Sequence, residues 1–111
     1  MTKIDIMKEI DQFRDDRDWR QFHNEKDLAL SISIEASELL ELFQWKTSEE
    51  TVAEKHAELK EEIADVVIYS YMLASNLGLD MDEIILEKLQ KNNEKYPVSK
   101  SKGNKQKYDE L

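Results

Sequence analysis

The chain has no cysteine, which excludes disulfides, thiolate metal sites and cysteine nucleophiles together. Two glycines and one proline in 111 residues, with few β-branched runs, leave little material for a strand-and-turn architecture. Long apolar segments are missing too. The longest uncharged run, "VVIYSYMLASNLGL", has 14 residues and directly follows "EEIAD". It is too short to span a bilayer and suits a buried helix. The first residues, "MTKIDIMKEIDQF", are charged throughout and hold no signal-peptide core, so a cytoplasmic protein without membrane attachment is expected. Basic charge is scarce as well. Without the residues after Pro97, 12 basic and 23 acidic side chains remain, a balance of −11. Such a surface repels polymeric nucleic acid, and even a small phosphate compound would need a cation as intermediary.

What the sequence has is helical periodicity in a chain of one domain's length. Thr2 and Asp5 offer a capping start, followed by a helix that buries Ile6, Ile10 and Phe13 with Met7 beside them. "RDWRQFHNEKD" breaks the period, and Asn24 is the candidate cap of a second helix running from about Glu25 to Gln44. Thr47 or Ser48 caps a third, reaching about Leu77, where Gly78 supplies a left-handed exit. Asp80 and Glu83 open a fourth, which continues to Lys95; Pro97 blocks its extension. Residues 1–97 then form the domain, and 98–111 a polar, basic tail. The expected fold is all-α, a four-helix bundle-type protomer.

Two acidic pairs, Glu35/Glu38 and Glu62/Asp65, invite a metal reading, yet their spacing alone says little. The sequence holds six acidic pairs at i, i+3, and random placement would give roughly five at this helical-neighbour spacing. The face they occupy is more informative. At 100° per residue Glu35 lies inside the apolar stripe of Leu28, Ile32, Leu39, Leu42 and Phe43, with Glu38 on its edge. Glu62 likewise shares a side with Leu59, Val66, Tyr69, Leu73 and Leu77, with Asp65 at the edge. Unpaired buried carboxylates cost several kcal/mol each and repel one another. A hard cation such as Mg2+, or Mn2+ in its place, would resolve both problems; pairing of Glu35 and Glu62 with Lys or Arg is the competing solution. A di-iron site is disfavoured, because neither His23 nor His56 follows a Glu by three residues.

"EASELLELFQW" followed by "EEIADVVIY" resembles the MazG-like, all-α nucleoside triphosphate pyrophosphohydrolase superfamily, whose signature is Glu-x-x-Glu, a spacer, then Glu-x-x-Asp. "RDWRQFH", "LFQWK", "DVVIY" and "KLQKNNEKYP" are similar to its small single-domain branch, which includes the dCTP pyrophosphatases. The resemblance implies hydrolysis of a deoxynucleoside triphosphate to the monophosphate and pyrophosphate. Glu35, Glu38, Glu62 and Asp65 would hold Mg2+, and Glu38 would help to orient or deprotonate the attacking water. By the same analogy Trp19, Phe22, His23 and Trp45 form the base pocket, while Tyr69, Lys88 and Asn92 approach sugar and phosphates. A pyrimidine deoxynucleotide, dCTP or a modified dCTP first, is the expected substrate.

Apolar residues around the circumference of the third helix, among them Ile63, Val67, Ile68 and Met72, exceed what so small an interior can bury. A dimer or a dimer of dimers is therefore expected. Two other classes compete: a catalytically silent helical adaptor, and a phosphatase acting on a non-nucleotide pyrophosphate. Retention of all four acids argues against the first, and the aromatic residues, suited to stacking on a base, argue against the second.

Overall fold

Four capping residues mark four helix starts, each side chain accepting a backbone N–H three residues ahead. Asp5 receives Lys8 N at 3.3 Å, Asn24 receives Asp27 N at 2.8 Å, Thr47 receives Glu50 N at 3.1 Å and Asp80 receives Glu83 N at 3.0 Å. At Thr47 the bond is reciprocated, Glu50 accepting the Thr47 N–H at 3.4 Å. The computed structural model describes residues 3–106 and 109. Thr2 and the end of the basic tail lie outside the described residues. The helices are α1 (Ile6–Asp16), α2 (Glu25–Glu41), α3 (Ser48–Glu54), α4 (His56–Asn76), α5 (Met81–Lys95) and α6 (Val98–Ser101), with a 3-10 turn at Arg20–Phe22. The expected all-α class holds, and no strand occurs among the described residues.

Two boundaries differ from expectation. The single third helix is two, broken at Lys55, whose φ of −119° and ψ of 25° leave the helical region. No glycine or proline marks the break. Before it, Thr51 is buried, and its hydroxyl donates to the Leu42 carbonyl at 3.2 Å, which with the Lys46–Glu54 ion pair ties α3 to the exit of α2. The second helix ends at Glu41 rather than Gln44, and hydrogen bonds between residues three apart carry the chain on through Lys46. Gly78, at φ +68°, makes the expected left-handed exit from α4.

The chain divides into two compact units, residues 1–78 and 79–111. In the first, α4 packs against α1, α2 and α3. Ile10, Leu28 and Met72 form its core, with Ile68, Tyr69, Tyr71 and Leu73 against them. Ile68 and Met72, counted above as surplus, thus belong to the core, whereas Ile63 and Val67 are exposed. The inward face of α1 is also rotated from the expected one. Ile10 is buried and Met7 partly buried as expected, but Ile6 and Phe13 are 51% and 43% exposed, and Asp11 and Arg14 turn inward in their place. The guanidinium of Arg14 takes the place meant for Phe13, because its partners lie on the last turns of α4. In the second unit Asp80 caps α5 and Tyr96 ends it, before Pro97 opens the short α6. No helix among the described residues is long and apolar enough to cross a membrane.

Candidate active site

The helical registers of α2 and α4 bring the two acidic pairs to one place. Glu35, Glu62 and Asp65 are each partly buried, and each offers an oxygen such that the three lie within 4.8 Å of one another. Neither Glu35 nor Glu62 has a cationic partner among the described residues, so pairing with Lys or Arg is not how this fold accommodates them. One oxygen of each, Oε2, is buried without any hydrogen-bond partner. Burial, then the carboxyls of Glu62 and Glu38 near enough to accept its proton, then the charges of Glu38 and Asp65 push the Glu35 carboxyl up to about 7.

The flanking groups show the same field. Glu38 is exposed but within hydrogen-bonding reach of Glu35. Burial, followed by the negative charges of Glu35, Asp65 and Glu38, holds the Tyr69 phenol above its ordinary range, so it stays a neutral donor beside the acids. A cavity of about 530 Å³ opens next to them, lined by Glu38, Leu42, Lys46, Lys55 and Glu62 among others. Lys55 was not anticipated; it enters because the break between α3 and α4 falls at that residue.

The expected base-binding residues are not all gathered. Trp19 meets His23 edge to face, with centroids 6.2 Å apart, and Phe13 likewise at 5.5 Å. Phe22 is exposed in the same connection. Trp45 stands apart, 93% exposed, beyond the end of α2 and with a left-handed φ of +63°. Lys88 and Asn92 lie on α5 in the second unit. Reasoning from sequence missed Arg14, Asp11, Ser75 and Asn76, whose hydrogen bonds hold the connection carrying His23. One signal was present: Arg14 follows Met7 and Ile10 at helical spacing, on the inward stripe.

An all-helical scaffold that brings carboxylate oxygens, and neither sulfur nor imidazole, to one point is a candidate carboxylate-based cation site. Comparisons with known proteins agree with that class. Residues 30–111 match the MazG-like family, and the chain belongs to it. It is 38% identical to the dCTP pyrophosphatase 1 of Mus musculus and of Homo sapiens over 115 aligned positions, covering 99% of this chain and 68% of each relative. A crystal structure of a pyrophosphatase from Archaeoglobus fulgidus DSM 4304 superposes with a TM-score of 0.77 at 40% identity, covering 87% of this chain and 97% of that one.

Proposed function

We propose that the chain is a Mg2+-dependent nucleoside triphosphate pyrophosphohydrolase that converts deoxynucleoside triphosphates, pyrimidines such as dCTP or modified dCTP first, to the monophosphate and pyrophosphate. The observation that carries this reading is the pair of buried, unpartnered oxygens on Glu35 and Glu62 beside Asp65. A core that leaves anionic acceptors unsatisfied is suited to a cation, and an all-oxygen donor set fits a hard one. Glu35, Glu38, Glu62 and Asp65 would hold it. A bound Mg2+ supplies neutralisation of phosphate oxygens and a more acidic water.

The chain's own groups do the rest. Glu35, raised to about 7 in the metal-free protein, must give up its proton as the cation binds, so loading releases protons. Glu38 would help to orient or deprotonate the water attacking the α-phosphorus, a reading supported by its exposure and its nearness to Glu35. Lys55 borders the cavity as a positive charge for phosphate. Tyr69, Lys88 and Asn92 approach sugar and phosphates, while Trp19, Phe22, His23 and Trp45 contact the base. Residues 1–97 form the catalytic domain and 98–111 its basic tail. Exposed Leu30, Ile34, Leu40, Ile63 and Val67 support assembly into a dimer or dimer of dimers. A soluble cytoplasmic setting suits nucleotide-pool cleansing.

The test is a panel of canonical and modified nucleotides with Mg2+, resolving which product is released. Pyrophosphate is expected. Single phosphate, or no turnover of any nucleotide, would overturn the proposal. A 13.1 kDa monomer in light scattering at micromolar concentration would overturn the assembly.

A further inference from the structure

A second buried polar cluster lies on the turns of α4 nearest its C-terminal end. Arg14 is wholly buried, and its guanidinium donates in three directions. Nη2 reaches Asn76 Oδ1 at 2.7 Å, Nη1 reaches the Met72 carbonyl and Asp11 Oδ1 at 3.4 Å each, and Nε reaches His23 Nδ1 at 3.2 Å. Asn76 also donates Nδ2 to the His23 carbonyl at 2.6 Å. Asp11 in turn accepts from Ser75 Oγ at 2.9 and 3.0 Å and pairs with Arg20 at 3.3 Å. His23 is thus held at both ring and backbone, by side chains from α1 and α4.

The chemistry of this grip is directional. A guanidinium only donates, so Nδ1 must present its lone pair and the ring proton sits on Nε2. Protonating Nδ1 would break that bond and set a second cation against a buried one. Burial and the charge of Arg14 accordingly hold His23 below its ordinary range. Among the described residues nothing takes a hydrogen bond from Nε2, and the edge-on Trp19 ring stands beside the imidazole.

We propose that Arg14 and Asn76 are positioning residues that lock His23 as a neutral imidazole with Nε2–H outward, making it a donor-only contact that favours bases presenting an acceptor. This rests on the reading of His23 as a base contact. The 15N spectrum of the His23 ring in the full-length protein, assigned by comparison with His23→Ala, tests the lock without any assay of turnover. The parent should show the single Nε2–H tautomer and Arg14→Met a mixture, with Arg14→Lys restoring part of the parent signal. Cytosine and thymine differ for a donor at the N3 edge, an acceptor in the first and an N–H in the second. With Nε2–H meeting that edge, Arg14→Met should shrink discrimination between their triphosphates about tenfold, through KM more than kcat. A parent with its proton on Nδ1, or an Arg14→Met ring spectrum identical to the parent's, would overturn the lock. Should Arg14→Met fail to fold, Asn76→Ser frees the carbonyl of His23 and removes one acceptor of Arg14, while the guanidinium keeps its charge and its bonds to Met72, Asp11 and His23. Undiminished discrimination in that variant would overturn the role of Asn76. If His23→Ala itself discriminates as the parent does, the base-contact reading fails, while the spectrum still decides the tautomer.

Discussion

The first unit buries polar side chains in two places against the same helix, and it treats them in opposite ways. Near the C-terminal end of α4 the guanidinium of Arg14 is completely enclosed, yet its carbonyl, amide, imidazole and carboxylate partners are all supplied from within. Beside the earlier turns of α4, Glu62 and, from α2, Glu35 each keep a buried Oε2 with no hydrogen-bond partner among the described residues. Burial of a charge costs several kcal/mol unless it is answered. The first cluster is answered by the fold, and the second is not answered by any side chain among the described residues. That difference is what supports the proposal of a cation at the carboxylates.

Substitution should separate the two clusters most sharply at the carboxylates. Glu62→Gln or Asp65→Asn should lower turnover roughly 100-fold or more, because each removes an anionic ligand. Helical circular dichroism should be retained. The metal-free melting temperature should hold or rise, since a like charge has gone from a crowded group. Excess EDTA should abolish activity in the parent. Near-native rates in both variants would mean that other carboxylates hold the cation.

The Arg14 cluster should respond in reverse. Arg14→Met strands Asn76 Oδ1, the Met72 carbonyl and His23 Nδ1 without their donor, at a cost of about 3 kcal/mol in denaturant unfolding. Loss of less than about 1 kcal/mol would show that water replaces the guanidinium and that the cluster is not structural.

The contrast was half legible in the sequence. Glu35 could be placed inside a stripe because Leu28, Ile32, Leu39 and Leu42 repeat within one helix, and the caps at Asp5, Asn24, Thr47 and Asp80 are local chemistry. Arg14 could not be read in this way. Its partners Met72 and Asn76 are 58 and 62 residues away, and an arginine on an apolar stripe ordinarily extends to solvent. The break at Lys55 was hidden for a related reason. "AEKHAE" favours helix throughout, and the ties of α3 to the exit of α2, through Thr51 and the Lys46–Glu54 pair, are tertiary.

A smaller effect should appear in the pH dependence of the metal-free protein. The Glu35 carboxyl rises from an ordinary 4.5 to about 7 on folding. The folded state therefore holds this proton more tightly than the unfolded chain, and between those values folding takes up a proton. Stability should fall as pH rises through that window, by the linkage between bound protons and unfolding free energy. Thermal melts of metal-free protein at pH 5 and pH 7.5 would show it, and Glu35→Gln should flatten the slope. A parent whose melting temperature rises across the window would mean that Glu35 is ionised in the folded state.

Trp45 extends the comparison from unpartnered side chains to strained backbone, and its effect on stability should be the smallest. A bulky residue at φ +63° is strained by about 1–2 kcal/mol, and with 93% of the side chain exposed the ring offsets little of this by packing within the chain. Asparagine tolerates the left-handed region far better than tryptophan and, unlike glycine, adds little entropy to the unfolded chain. Trp45→Asn should therefore leave stability unchanged or raise it by about 0.5–1 kcal/mol, read by urea unfolding. If the ring stacks on the base, the same change should raise KM by about tenfold, since a stacked base is worth about 1–3 kcal/mol. A stabilised variant with a raised KM would identify the strain as the cost of holding a stacking platform open to ligand. A variant destabilised by more than about 1 kcal/mol would show instead that the ring packs in the folded protein, against a second copy of the chain, and its exposure in one chain would then mark an interface.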